Sequence, residues 1–501
     1  MGIMLVNITD TFLLQVAKQL RTKNLHIDFI IGLGINKEDF EGTPVLNYMD
    51  LMCPEYYAQA NISSPYALSA AMIEQFGECE NIFLSNSDRL AFFNISVRKR
   101  KIIYYDILLY WHTFFKMHQI DCIFFVSTPH MGWDIVLYFV AGSLGIKTYC
   151  LERTGIDDTV FLVEDYTKTE KVPSDYLKDK TKDEIVALLN GDLYEKVFKT
   201  SYWIKQPFAP GLQEMSSGKL TKRFLASVKN NLNFLKKILT VGNYFEQQFS
   251  TAFSLNFPVR NLFFKLIAKI KRVRDKNLYK YYTKLSRKAD LEDKYVFFPL
   301  HFQPERSSIP LGGVFENQLL ALQILSRSTQ ADWKIYVKEH PRQLKSPRIN
   351  CLHYRNKEYY ETIKAIPKVV IIDIEQDTKE LIKNAQVTAT LTGSAGWESI
   401  LSGKGCVVFG GPWYKECRSC YFVNSVEICK QAIEQILRKT KSDVEMDLLK
   451  FLSYSQHKFI VSSNSDYFAT KSEKSYERLV NNLADAIISS VVNGTNCRKT
   501  K

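Results

Sequence analysis

The sequence predicts an α/β chain of two parallel-sheet domains, 1–170 and 291–430. A basic helical insertion at 171–290 separates them, and a helical tail follows at 431–501. Three observations carry this reading. Short apolar runs closed by Gly or Pro alternate with longer amphipathic stretches in two separate parts of the chain, the rhythm of βαβ units. The runs are apolar throughout rather than alternating, as in strands buried on both faces. And 501 residues exceed what one hydrophobic core organises, so two domains and an appendage are expected.

In the first part, HIDFIIG at 26–32 reads as a buried strand closed by Gly32 and Gly34, and NIFLS at 81–85 as a second. IIYYDILLYWHTFFKMHQ at 102–119 is long and amphipathic, a helix. IDCIFFVS at 120–127 is a strand broken by Thr128-Pro129-His130. MGWDIVLYFVAGSLG at 131–145 is a helix ending at Gly145, a good residue just past a helix end, and IKTYCLE at 146–152 is the next strand. Repetition of this unit predicts a doubly wound, Rossmann-like domain.

From about 171 to 290 strand-like runs vanish. In FFKLIAKIKRVRDK, 263–276, Leu262, Phe263, Leu266, Ile267, Ile270 and Val273 fall on one face and Lys265, Lys269, Arg272 and Lys276 on the other. Between Lys219 and Lys288 there are 17 Lys/Arg against Glu246 and Asp275, a balance of +15 within a net charge of +13. The rest of the chain is therefore near −2 (13 minus 15). The positive charge is a property of one segment, and such a helix suits an anionic membrane surface, here over 260–288. The basic residues are segregated from the polar loops described next, so nucleic acid is not expected as a partner.

A second series begins with the strand YVFFPL at 295–300. The helix FENQLLALQILSRS (315–328) follows, then strands WKIYVK (333–338) and KVVIID (368–373), helix TKELIKNA (378–385) and strand VTATLT (387–392). Helix WESILSG (397–403) and strand CVVFGG (406–411) complete it, and 427–440 and 472–491 read as terminal helices. In open α/β sheets ligands bind beyond the carboxyl ends of the strands. This sequence places HFQPERSS (301–308), EHPRQ (339–343), TGSAGWE (392–398) and GPWY (411–414) there. In TGSAGWE, Gly393 and Gly396 permit close backbone approach. Ser394 adds a hydroxyl, and a helix starting near Trp397 turns its positive end to the loop. Glu398, expected in the first turn, suits a ribose hydroxyl or a cap. His340, with Lys338 and Arg342 beside it, suits a phosphate oxygen. Gln303, Glu305 and Arg306 offer groups to a base or sugar. In the first domain, His130 follows one strand. Glu152, Arg153, Asp157 and Asp158 follow another, giving a general base or nucleophile and a cation for a charged substrate.

FPLHFQPERSS, YVKEHPR and TGSAGWESILSGKGCVVFG together resemble the capsular polysaccharide biosynthesis protein family, over roughly 295–415. That family's pattern is a Gln-Pro-Glu loop, a His-Pro loop and a Ser/Thr-Gly-rich loop leading to Gly-x-Glu on a helix, and its characterised members include Kdo transferases of the GT-B fold that use CMP-Kdo. The resemblance implies a glycosyltransferase of capsular or lipopolysaccharide-type polysaccharide biosynthesis. His340 and Ser394 would then contact the nucleotide phosphate, and Gln303 and Glu305 would line the donor site. The family's Glu-Asp-Gly run is replaced here by Glu152-Arg153-Thr154-Gly155. GT-B enzymes as a class need no bound divalent metal, and no Asp-x-Asp stands at a strand end here; no cofactor is expected. The partners expected are a nucleotide-sugar donor and a glycan or lipid-linked glycan acceptor. A non-catalytic assembly or export factor and a nucleotide-sugar epimerase are the competing readings.

Only Cys417-x-x-Cys420, with Cys429 beyond, looks patterned among ten cysteines. A zinc site needs a fourth ligand that this spacing does not supply, so reduced thiols are expected. MGIMLVNITD lacks a basic stretch before an apolar core, so no signal peptide is expected. No apolar run approaches the ~18 residues that span a bilayer. A cytoplasmic protein, peripheral at the inner face of the cell membrane, is the resulting expectation.

Overall fold

The computed structural model describes residues 2–87, 96–168, 171–199, 277–345 and 354–496. The chain is a mixed α/β protein with two sheets, each dominated by parallel strands. The first sheet contains β1 (Ile3–Ile8), β2 (Phe29–Gly32), β3 (Val45–Asn47), β4 (Cys122–Phe125), β5 (Lys147–Arg153), β6 (Thr159–Val163) and β13 (Ile460–Val461), in the order β3-β2-β1-β4-β5-β6-β13. Only β6 and β13 run antiparallel to their neighbours. The second sheet is wholly parallel: β7 (Tyr295–Pro299), β8 (Lys334–Lys338), β9 (Val369–Ile372), β10 (Val387–Thr390), β11 (Cys406–Val408) and β12 (Cys420–Phe422), in the order β9-β8-β7-β10-β11-β12. Counted from its own first strand, each sheet runs 3-2-1-4-5-6, the doubly wound order whose direction reverses beside strand one. The reversal opens a crevice between β1 and β4 in one sheet and between β7 and β10 in the other.

Two elements depart from the sequence reading. IMLVNI, noted only as lacking signal-peptide character, is the central strand β1, buried along its whole length. NIFLS is not a strand but part of a helix, Gly77–Asn86. Cys79, Phe83 and Asn86 are buried there at helical spacing, and five mixed residues are too few for period two to declare itself. The segment 431–501 is not helix throughout. It supplies β13, and its last helix, Tyr476–Asn496, packs Leu479, Leu483, Ala484 and Ile487 against Phe12, Leu13, Val16 and Leu20 of helix Thr11–Thr22. The C-terminal stretch therefore belongs to the core of the first sheet.

The helix at 263–276 lies outside the described residues, as does 260–276 of the basic segment. In the part described, 277–288, Leu278 and Tyr282 are buried in the core of the second sheet, while Lys280, Lys284, Arg287 and Lys288 are exposed. That stretch spends its apolar face on the protein and turns its cations outward, with Asn277 and Thr283 among them. At the other end of the expected insertion, Ile185, Leu189 and Leu193 pack against Leu448, Leu449 and Leu452 of helix Lys441–Ser455. Among the described residues no helix is long and apolar enough to cross a membrane.

Beneath the polar loops of the second sheet lies an ion pair with both side chains fully buried. Arg355 Nε donates to Glu339 Oε2 at 2.6 Å. Arg355 also donates to Gln303 Oε1 (2.7 Å), the His301 carbonyl (3.0 Å) and the Tyr354 carbonyl (2.9 Å), and its guanidinium lies 4.5 Å over the Tyr359 ring. Glu339 further accepts from the Tyr360 hydroxyl (2.8 Å) and the His340 N–H (2.8 Å). Every charge is paired and bonded, the condition under which buried ions are tolerated. Removing the cation strands the carboxylate, so Arg355→Ala is expected to cost about 3–5 kcal/mol in chemical denaturation. Arg355→Lys restores little, because an ammonium lacks the guanidinium fork. A cost under about 1 kcal/mol for Arg355→Ala would show the network to be dispensable.

Candidate active site

The carboxyl edges of the two sheets face each other. Glu152, near the end of β5, and Arg306, in the loop after β7, form an ion pair at 2.9 Å. Tyr354 donates its hydroxyl to the Ser85 carbonyl at 3.2 Å, a second contact between the halves.

On the second side three loops converge. His301 follows β7, His340 follows β8, and Thr392-Gly393-Ser394 follow β10. The helix after β10 is Ser394–Leu401, so it begins three residues before the Trp397 expected from sequence, and Gly393 caps it without a side-chain bond. Its first-turn N–H groups therefore face the crevice without a capping side chain. Gly396 must be glycine, because a Cβ there would sit 2.3 Å from the Tyr414 hydroxyl, which itself donates to the Gly393 carbonyl at 2.5 Å. Ser394 is exposed and donates to Glu398 Oε1 at 3.0 Å. Glu398 lies in the second turn, not the first, and burial raises its pKa.

His340 accepts the Arg342 N–H on Nδ1 at 3.2 Å, which leaves the proton of the neutral ring on Nε2. Its ring packs on Phe302, and Arg342 lies 5.2 Å over the same phenyl. Burial, then Arg342, Lys338 and Arg355, pulls the His340 pKa down to about 4. Lys338 is buried and donates to Thr378 Oγ1 at 2.7 Å. Glu305 lies 3.8 Å from Arg342 and ties the first loop to the second.

Gln303 is turned inward. Its Oε1 accepts from Arg355 and from Gln318 Nε2 (2.8 Å), and its Nε2 donates to the Glu316 carbonyl (2.8 Å). An amide so engaged shapes the loop rather than lining the crevice.

On the first side, Glu152 is held by three donors on one oxygen: the Thr128 N–H (3.0 Å), the Thr128 hydroxyl and Arg306 Nη1, all to Oε1. No bond falls on Oε2 among the described residues. His130 Nδ1 lies 2.7 Å from the Thr128 carbonyl, to which only a protonated Nδ1 bonds. That tautomer places the neutral ring's lone pair on Nε2. Arg153 is not gathered with them. Its guanidinium lies 3.6 Å over Phe468, as neighbours on a strand point to opposite faces. Asp157 and Asp158 occupy the β5–β6 turn, with Asp158 in the left-handed region at φ 49°. Their main-chain carbonyls accept from Lys196 (3.2 Å) and the Ser462 N–H (3.0 Å).

Sequence reasoning missed three residues here. Arg355 stands in HYRNK with no pattern to announce it. His301 opens the loop whose Gln-Pro-Glu drew attention instead. Asn7 is the next-to-last residue of β1, at the first crevice, at φ 70° where the register shifts, and donates to Asp134 Oδ2 at 3.2 Å. Among the described residues no group of three or more His, Cys, Asp or Glu is placed to hold a metal ion. Cys417 and Cys420 are buried as free thiols.

Two facing doubly wound domains joined at the carboxyl ends of their strands define a protein of the GT-B type. Residues 256–417 match the model of the capsule polysaccharide biosynthesis protein family, a stretch that includes all three loops on which the resemblance was read. The structure of UDP-GlcNAc 2-epimerase from Methanocaldococcus jannaschii aligns at 14% identity, with a TM-score of 0.24, over 91% of this chain and 100% of that one. That of Thermosulfurimonas dismutans KpsC, a beta Kdo 2,7 transferase, aligns at 11% identity, with a TM-score of 0.30, over 84% of this chain and 97% of that one. Among curated proteins none matches.

The imidazoles make stability depend on pH. His340 stays neutral in the folded protein down to about pH 4 and His301 to about pH 3, whereas their unshifted value is 6.5. Below 6.5 the unfolded chain therefore binds more protons, and stability falls as pH is lowered toward about 4. The melting temperature is expected to drop over this window, and more shallowly in His340→Asn. Equal slopes for the two proteins would contradict the assignment.

Proposed function

We propose that this protein is a glycosyltransferase of surface polysaccharide biosynthesis, capsular or lipopolysaccharide-type. It takes a nucleotide-activated sugar held by the second domain and delivers the sugar to a glycan acceptor held by the first. The observation that carries this reading is the convergence of His340, Ser394 and an uncapped helix N-terminus at the crevice of one domain, opposite the Glu152 carboxylate of the other. The family match over those loops supports it, and by the same resemblance a CMP-Kdo-like donor is the favoured class.

In this reading the leaving phosphate lies against the first-turn N–H groups of helix 394–401, the Ser394 hydroxyl and the His340 Nε2–H. Lys338 and Arg342 add positive potential behind them. Such fixed dipoles stabilise charge as it develops on the leaving oxygen. Glu398 lies beside Ser394, where a ribose hydroxyl would reach it. Glu152, oriented through Oε1, turns Oε2 to the reacting centre as base or nucleophile. His130, with its lone pair on Nε2, is the second candidate base. A lipid-linked acceptor would bring the protein to the inner face of the membrane, with 260–288 as the contact; the exposed cations of 277–288 fit an anionic surface.

Titration with CMP-, UDP- and GDP-linked sugars is expected to find a binding donor, and His340→Ala to weaken it by about tenfold or more. Glu152→Gln is expected to keep donor affinity and lower turnover by roughly 10²–10⁴-fold. Release of free nucleotide with growth of the glycan marks transfer. An altered sugar on an intact nucleotide would mark an epimerase, and donor binding without turnover on any acceptor extract an assembly factor; either would displace the proposal.

A further inference from the structure

The crevice of the second sheet contains a buried imidazole, His301, two residues ahead of the Gln-Pro-Glu run. His301 lies at the carboxyl side of β7, the strand beside which the sheet changes direction, and only 7% of it is exposed. Its Nε2 accepts the Thr392 N–H across the crevice at 3.2 Å. That bond settles the tautomer, since the ring accepts on Nε2 and carries its proton on Nδ1. The Nδ1 atom is buried and has no hydrogen-bond partner in the structure. Native proteins rarely leave a buried donor unmade, and each such case asks for a reason.

The surroundings indicate the reason. Gly393 leaves room for the ring, because a Cβ there would stand 3.1 Å from His301 Nε2 and 2.8 Å from Thr390 Oγ1. The Nε2–Cε1 edge thus lies along the loop that opens helix 394–401, an eight-residue helix with an uncapped N-terminus. His340 and Arg355 are the side chains whose charge acts on the ring. The groups that act on the ring favour an acceptor bearing negative charge: the loop opening helix 394–401 along its Nε2–Cε1 edge, and the His340 and Arg355 side chains. Burial keeps the imidazole neutral, so it donates without needing a counter-charge when the site is empty.

We propose that His301 is a further nucleotide-binding residue, whose Nδ1–H donates to a phosphate oxygen of the nucleotide in the crevice between β7 and β10. Thr392 sets its direction by occupying Nε2. The inference rests on the transferase reading above.

The test compares wild-type protein, His301→Phe and His301→Asn by calorimetric titration with the nucleoside 5′-monophosphates of cytidine, uridine and guanosine and with the matching nucleosides. For the nucleotide that binds, His301→Phe is expected to lose about tenfold or more in affinity, and His301→Asn, whose amide presents an N–H near the Nδ1 position, to recover part of it. Nucleoside affinity is expected to stay level across the three proteins. In uniformly folded protein, ¹⁵N-labelled histidine spectra are expected to show the His301 Nδ1–H resonance shifting on nucleotide addition, a readout that does not depend on any variant folding. Unchanged affinity in His301→Phe, an equal loss for nucleoside and nucleotide, or an unmoved Nδ1–H resonance at saturation would overturn the inference and leave the transferase reading standing. A wild-type protein that binds none of these nucleotides or their sugar conjugates would overturn both.

Discussion

The second domain is organised around the buried pair Arg355–Glu339. One guanidinium reaches the loop after β7 through His301 and Gln303, the loop after β8 through Glu339, and the start of helix Lys357–Ala365 through Tyr359. One carboxylate then holds the His340 N–H and the Tyr360 hydroxyl. Loops at strand ends are ordinarily the mobile part of an α/β fold. Here a charge that must be fully compensated fixes several of them at once, since any loosened bond exposes a buried ion to a low-dielectric interior. The crevice geometry follows from this constraint.

That constraint explains why the polar groups facing the crevice are neutral imidazoles rather than more cations. Arg355 already places a positive charge beneath them, and Lys338 and Arg342 stand beside them. Under burial with that field, both rings give up their second proton. What remains is a set of directed N–H donors with defined tautomers. A main-chain N–H occupies one nitrogen of each ring, Arg342 on His340 and Thr392 on His301. Oriented dipoles of this kind need no reorganisation when negative charge develops before them.

The relation between the halves has a second origin. The last helix, Tyr476–Asn496, lies on the first domain although the preceding chain belongs to the second, so the backbone crosses between them more than once. Residues 171–199 cross the other way and pack on helix Lys441–Ser455. Between these crossings Arg306, in a loop of one sheet, meets Glu152 at a strand end of the other. The first crevice mirrors the second in one respect: Asn7, like His301, hydrogen-bonds across the reversal point and keeps one polar atom buried and unpartnered.

The sequence by itself determined the fold class, most strands and the loops that matter. Continuous apolar runs such as CIFF and CVV declare strands buried on both faces, and TGSAG and EHPR declare strand ends, because both signals are local. It left NIFLS ambiguous, since five residues fit either period. It passed over IMLVNI, whose meaning as a central strand comes only from the neighbours it pairs with. The candidate site was half legible. His340, Ser394 and Glu152 were named from position alone. The inward turn of Gln303, the stacking of Arg153 on Phe468 and the hub at Arg355 depend on partners 15 to 315 residues away. Which face a side chain takes, and whether its groups are spent on the protein or left for a ligand, is a matter of long-range packing and desolvation. Only the tertiary structure decides it.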